Sequence, residues 1–292
     1  MANSKPYRLS FKLALVLIAG GFSVAVCELL LALVPGLDSD YYPSRYIRLR
    51  ERAPSREMFW RASDAVLDYE DGLETTEFRL ATDAEGFVLP SVACPDPEQV
   101  LVFLGGSTTE CANVQETNRF PYVVSQHLNR NGCRVRTYNG AAIGNHSMHS
   151  LNILLNKVLP LKPDFVVLMH NVNDLGILLV SGGYHSDHPS RSLIVTERSG
   201  FTFHLKGVIK NLLPQVYHVS RLGLKSLSGD SDEFRQFRGK QIDVDEVRVA
   251  EQFRRSLGTF VAVCNANRIR PILMTQANRF TESPQGATAS CW

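Results

Sequence analysis

The apolar pattern of the chain changes character twice. Leu13 to Val34 is apolar except for Ser23 and Glu28, and at ~1.5 Å per residue it would reach about 33 Å, the span of a bilayer. Lys5, Arg8 and Lys12 precede it, as in a signal anchor. Residues 35–98 are polar and punctuated by prolines, and they read as a connector with little regular structure. From Val100 onward, short apolar runs alternate with stretches of helical spacing. Val100–Leu104 (VLVFL), Val135–Asn139 (VRTYN), Phe165–Met169 (FVVLM) and Ile272–Met274 predict strands. Phe120–Asn129, Leu151–Leu159 (closed by Pro160) and Val247–Asn267 predict helices. This alternation predicts an α/β fold, a doubly wound parallel sheet with helices on both faces. Leu175 to Asp245 is too long for a plain connection and reads as an insertion, at about 176–245, that covers the site.

The organisation expected is therefore a basic tail over 1–12, a transmembrane signal anchor over 13–34, the connector over 35–98, the α/β domain over 99–280 and a small polar tail over 281–292. The basic N-terminal tail favours N-inside, a single-pass membrane protein with its main domain periplasmic or extracellular.

Composition narrows the partners. The 292 residues are 44% hydrophobic and 21% charged with a net charge of +2. No long basic run calls for nucleic acid. The six cysteines form no CxxC pair, no metal-ligand cluster or dinucleotide fingerprint is present, and no cofactor or metal is expected. Cys94 and Cys133 precede neighbouring strands, so a disulfide between them is one expectation.

In a parallel sheet the chemistry collects at the carboxyl ends of strands. Three loops lie there. The first is Gly105-Gly106-Ser107-Thr108-Thr109-Glu110, where two glycines permit a tight turn and bring Ser107 to the mouth of the sheet. The second runs from Asn139 to Ser147 and contains Gly144, whose main-chain NH can face a ligand. The third, His170-Asn171-Val172-Asn173-Asp174, supplies a carboxamide able to donate to an oxyanion. Taken singly, each is an ordinary turn; together they converge on one point.

The combination of LGGSTTE, NGAAIG and NVND resembles the SGNH (GDSL-like) hydrolase superfamily, over about residues 84–280. The basic tail and single span also look like those of its membrane-anchored bacterial members. The resemblance implies a flavodoxin-like three-layer fold and a serine ester hydrolase acting on acylated carbohydrates or lipids at the cell envelope. It implies Ser107 as nucleophile, an oxyanion hole from the Ser107 and Gly144 amides and the Asn173 side chain, and Gly105, Gly106 and Asp174 in support. One part of the pattern is missing. The family takes its base from an Asp-x-x-His block after a fifth strand, and no Asp-x-x-His occurs here; all eight histidines lie at or before His218. The domain is therefore expected to be C-terminally incomplete. His146, His149, His170, His185 and His188 stand in or beyond the loops as substitutes. A non-catalytic relative and a polysaccharide O-acetyltransferase are the alternative readings.

Overall fold

The computed structural model describes residues 6–31, 45–61, 77–92, 94–185, 192–196, 201–213, 217 and 243–276. The chain divides into two units, Met1–Ser44 and Arg45–Trp292.

The first unit holds one helix, Pro6–Leu31. Among the described residues no helix is long and apolar enough to cross a membrane. This corrects the expectation of a single-pass anchor, and with it the membrane partner and the periplasmic or extracellular placement. The helix starts early enough to take in Arg8 and Lys12. Its stretch free of charge within the helix before Glu28 runs only from Leu13 to Cys27 and includes Ser23. At ~1.5 Å per residue that is about 22 Å, short of a hydrocarbon core of about 30 Å.

The second unit is built on four parallel strands in the order β5-β4-β6-β8. These are β4 (Gln99–Gly105), β5 (Val135–Asn139), β6 (Phe165–Met169) and β8 (Arg270–Met274). In β4 and β6 the apolar runs are continuous because both faces are covered, and the period of two sorts each run between two cores. Val102, Leu104, Val166 and Leu168 face a cluster completed by Leu151, Ile153, Leu154, Val158, Phe260 and Cys264. Leu101, Phe103, Val135 and Val167 face the helix Phe120–Arg130 through Phe120, Val124 and Leu128. There the Phe103 and Phe120 rings meet edge to face, 5.8 Å apart. The α/β class, the parallel sheet and the helices on both faces thus stand as read from the pattern. Among the described residues β8 pairs with β6 alone, and its Ile272, Leu273 and Met274 are exposed.

Three elements differ from the expectation. The second predicted helix begins at Ser147, four residues early, because His146 and His149 cap its first turn reciprocally. It then widens into a π-turn over Leu154–Val158 and tightens at Leu159–Leu161, where Pro160 ends it. Residues 35–98 are not featureless. Within them β2 (Glu57–Arg61) and β3 (Glu77–Ala81) pair as an antiparallel ladder, and β1 (Arg45–Ile47) pairs with β7 (Ile194–Thr196) of the insertion. The insertion itself starts after the helix Val172–Ser181 and includes a second helix, Phe201–Leu212. Cys94 and Cys133 are free thiols, and the Cys94 carbonyl is instead held by Arg136 Nη2 at 3.0 Å. The tail over 281–292 lies outside the described residues.

Arg119 fastens the β2–β3 ladder to the main sheet. Its side chain is 1% exposed and has main-chain carbonyls for partners: Cys111 at 3.2 Å, Leu89 at 2.5 Å and Arg79 at 2.5 Å. Burial lowers its pKa from the ordinary arginine value. Arg119→Met would remove a donor from each of three carbonyls, of which Cys111 O keeps Val114 N at 3.1 Å, so we expect a loss of about 2–4 kcal/mol of stability, read as a drop in urea midpoint.

Candidate active site

β4 is flanked by β5 on one side and β6 on the other, and the chain reverses its direction of winding there. The carboxyl ends of these three strands open into a crevice, the ordinary place for a site in an open α/β sheet. After β4 the chain turns through Gly105 and Gly106 into a short helix, Ser107–Glu110. Ser107 is exposed at its start. Its main-chain NH has no hydrogen-bond partner among the described residues, as befits the first turn of a helix.

The loop after β5 is held against this turn at three points. Asn139 Nδ2 donates to Thr109 O at 3.2 Å, Ala142 N to Gly105 O at 3.3 Å, and Ile143 N to Glu110 Oε2 at 3.1 Å. Gly144 follows with φ +75°, a conformation that favours glycine. Its NH also has no hydrogen-bond partner among the described residues. The loop after β6 closes the group. Asn173 Nδ2 donates to Asn145 O at 2.8 Å. A side chain at Gly106 would begin 2.5 Å from Asn173 Nδ2 and 3.1 Å from Asn145 O. Gly106, Asn145 and Asn173 therefore meet at one spot beside Ser107, and the bare backbone at 106 is what lets them. At Gly105 the added carbon would fall 2.9 Å from Met169 O, so the glycine seats the turn against the end of β6.

Asp174 lies beneath, not in, this crevice. It is fully buried. It accepts from Ser147 N at 3.0 Å, from Tyr184 OH at 2.6 Å and from the Ser147 hydroxyl, which also meets Ser256 Oγ at 2.6 Å. Burial raises its pKa, against the lowering effect of these donors. One carboxylate thus joins the second loop, the third loop, the insertion and the helix Glu246–Ala266.

The histidines point inward. His146 and His149 stack with ring centroids 3.7 Å apart, and both are buried. His170 Nε2 meets Ser150 Oγ at 2.7 Å, while its Nδ1 lies 3.7 Å from Asp174 Oδ2. Loss of hydration lowers the pKa of His170 to about 3, and the nearby carboxylate does not offset it. Burial first, then His146 and Arg50, lowers that of His149 to about 2. Both rings are neutral at physiological pH. Among the described residues nothing hydrogen-bonds the Ser107 hydroxyl, and His185 is exposed. His188 lies outside the described residues.

Sequence reasoning missed a strap that runs along the crevice over Arg48–Ala53. Arg50 Nη2 donates to Ile143 O at 3.1 Å, and Arg50 O accepts from Asn145 Nδ2 at 3.0 Å. Glu51 pairs with Lys157 at 2.6 Å, and Arg52 Nε pairs with the fully buried Glu110 at 2.5 Å. Ala53 O accepts from Thr82 Oγ1 at 2.7 Å. The strap also covers Gly144, where an added carbon would lie 3.1 Å from Arg50 Cζ.

No protein-family model matches the sequence, and no curated protein is significantly similar to it. Solved structures do match. One is a psychrotrophic esterase from a Pseudoalteromonas species inhibited by monoethylphosphonate, 11% identical, with a TM-score of 0.33 over 61% of this chain and 59% of that one. Another is a catalytic mutant of an acetylxylan esterase from Geobacillus stearothermophilus, 14% identical, with a TM-score of 0.29 over 61% and 77%. A third is a lipase-like protein of the GDSL type from Parabacteroides merdae, 16% identical, with a TM-score of 0.28 over 60% and 78%. The chain is thus similar to structures named as esterases and a GDSL-like lipase. It spans less than two thirds of the length of the first of them.

Proposed function

We propose that the chain is a serine ester hydrolase of the SGNH type that acts on acylated carbohydrates or lipid esters. Ser107 Oγ attacks the acyl carbon and gives up its proton, the ester C–O bond breaks and the alcohol departs carrying a proton, and water then cleaves the acyl–Oγ bond, releasing the acid and returning a proton to the serine. The observation that carries this reading is the pair of main-chain NH groups, Ser107 and Gly144, that have no hydrogen-bond partner among the described residues, with the Asn173 carboxamide bonded to Asn145 O in the loop that carries Gly144. The Asn173 nitrogen bears two hydrogens. Its bond to Asn145 O fixes the plane of the group. Main-chain NH groups and a carboxamide of this kind suit the negative oxygen of a tetrahedral intermediate. Gly105 and Gly106 let the turn pack closely, and Asp174 anchors the third loop to the second.

The inward-facing histidines favour a second reading, a non-catalytic protein that holds acyl groups with the same donors. A transferase passing an acetyl group from Ser107 to a sugar hydroxyl is a chemical variant of the first. An alkyl p-nitrophenyl phosphonate separates the classes. An activated Ser107 forms an Oγ–P bond and expels p-nitrophenolate, giving a mass increase on the peptide that contains it. We expect that increase in the intact chain and none in Ser107→Ala. An unmodified Ser107, with equal p-nitrophenyl acetate turnover in the two proteins, would establish the binding reading instead.

A further inference from the structure

The strap and the oxyanion loop meet at a single peptide unit, and the inference drawn from that meeting rests on the ester-hydrolase reading. A peptide group is planar and trans, so its C=O and N–H point in opposite directions and turn as one body. The carbonyl of Ile143 and the NH of Gly144 belong to the same plane. Arg50 Nη2 donates to that carbonyl at 3.1 Å. Whatever holds the Ile143 carbonyl therefore also aims the Gly144 NH. The preceding plane is held as well, since Ile143 N donates to Glu110 Oε2 at 3.1 Å. Glu110 in turn ends the short helix that Ser107 begins, and Arg52 Nε fixes its other oxygen. The amide at 144 is thus referenced to the serine by a chain of hydrogen bonds with no flexible link.

We propose that Arg50 is a positioning residue that aims and polarises the Gly144 NH. A cation donating to the carbonyl draws electron density from the amide nitrogen and makes the opposite NH a stronger donor. Gly144 suits this arrangement. Its φ of +75° turns the plane into place, and a side chain there would press on the Arg50 guanidinium. Arg50 reaches no reacting atom in this scheme. Its effect passes through the peptide plane.

The position is only half-buried, and its main-chain bond to Asn145 Nδ2 survives any side-chain change, so variants are expected to fold. Arg50→Met removes the donor. With p-nitrophenyl acetate, a neutral ester, we expect kcat to fall by about ten- to a hundredfold while KM holds, the pattern of an interaction that strengthens in the transition state. Arg50→Lys retains a cation that can donate to the same carbonyl, and it should recover part of the loss. A raised KM with unchanged kcat would show that Arg50 binds substrate instead and would overturn the proposal. So would an unchanged kcat in Arg50→Met. The amide ¹H and ¹⁵N shifts of Gly144 test the geometry without turnover. They should move in Arg50→Met and return toward wild type in Arg50→Lys. If wild type fails to react with the phosphonate, the hydrolase reading falls, and these shifts still decide whether Arg50 aims the amide; shifts that stay put in Arg50→Met would end the proposal.

Discussion

Asn173→Ala is expected to lower p-nitrophenyl acetate turnover by about 10²–10³-fold, the usual cost of removing one oxyanion donor. The end of the side chain is closely held. It donates to Asn145 O at 2.8 Å, and its nitrogen sits where a side chain at Gly106 would begin. Truncation removes the donor and leaves Asn145 O without that bond, so some local loosening will accompany the chemical loss. Asn173→Asp separates the two effects. It preserves the shape but places an acceptor, charged at neutral pH, where a donor is needed. If Asn173 serves the transition state, Asp should be at least as damaging as Ala in kcat. Rates for both variants within a factor of two of wild type would remove Asn173 from the site.

The second large effect concerns acid. His149 and His170 are neutral in the folded state, with pKa values lowered by burial to about 2 and about 3. In the unfolded chain both return to about 6.5. Their folded values are depressed, so the stability tied to them is fully present above pH 6.5 and is lost as pH falls. Below that point the unfolded chain takes up protons that the folded chain refuses. Each histidine then removes about 1.4 kcal/mol per pH unit, down to about pH 3 for His170 and about pH 2 for His149. Asp174 works the other way. Its pKa is raised on folding, so the folded protein binds that proton first and gains some stability during acidification. Two histidines against one carboxylate leave a net loss. We therefore expect urea midpoints to fall steadily from pH 6.5 to pH 4, and the slope to weaken in His149→Gln. A flat profile over that range would mean that the rings are hydrated in the folded state.

The sheet was legible in the sequence because its central strands, β4 and β6, are buried on both faces. An uninterrupted apolar run leaves few options, and Phe165–Met169 folds over the residues the pattern marks, as does the alternating Val135–Asn139. The three loops were legible for a related reason: a parallel sheet dictates where strand ends go. The strap was not. Arg50 and Arg52 are polar residues in a polar stretch, and their partners Ile143 and Glu110 lie 93 and 58 residues away. Nothing periodic marks such a link. Glu110 was visible as the last letter of GGSTTE, but only coordinates show its two oxygens divided between Arg52 and Ile143. The histidines misled because loop position suggests the mouth of a site. His146 and His149 instead cap a helix and turn into the core, and His170 pairs with Ser150. The N-terminal segment misled because its length was counted through Glu28 to Val34, whereas the helix ends at Leu31 and Glu28 divides its apolar run.

The strap also sets a practical boundary for anyone trimming or tagging this protein. A polypeptide begun at Ser55 would keep all four parallel strands, both glycine turns and the serine, and would look intact by any inspection of its motifs. It would nevertheless lack Leu49, which packs on the core, and the two arginines that brace the rim. A protease cut between Leu49 and Ala53 would sever the same brace. Fusion partners belong upstream of Arg45, where they leave that brace in place.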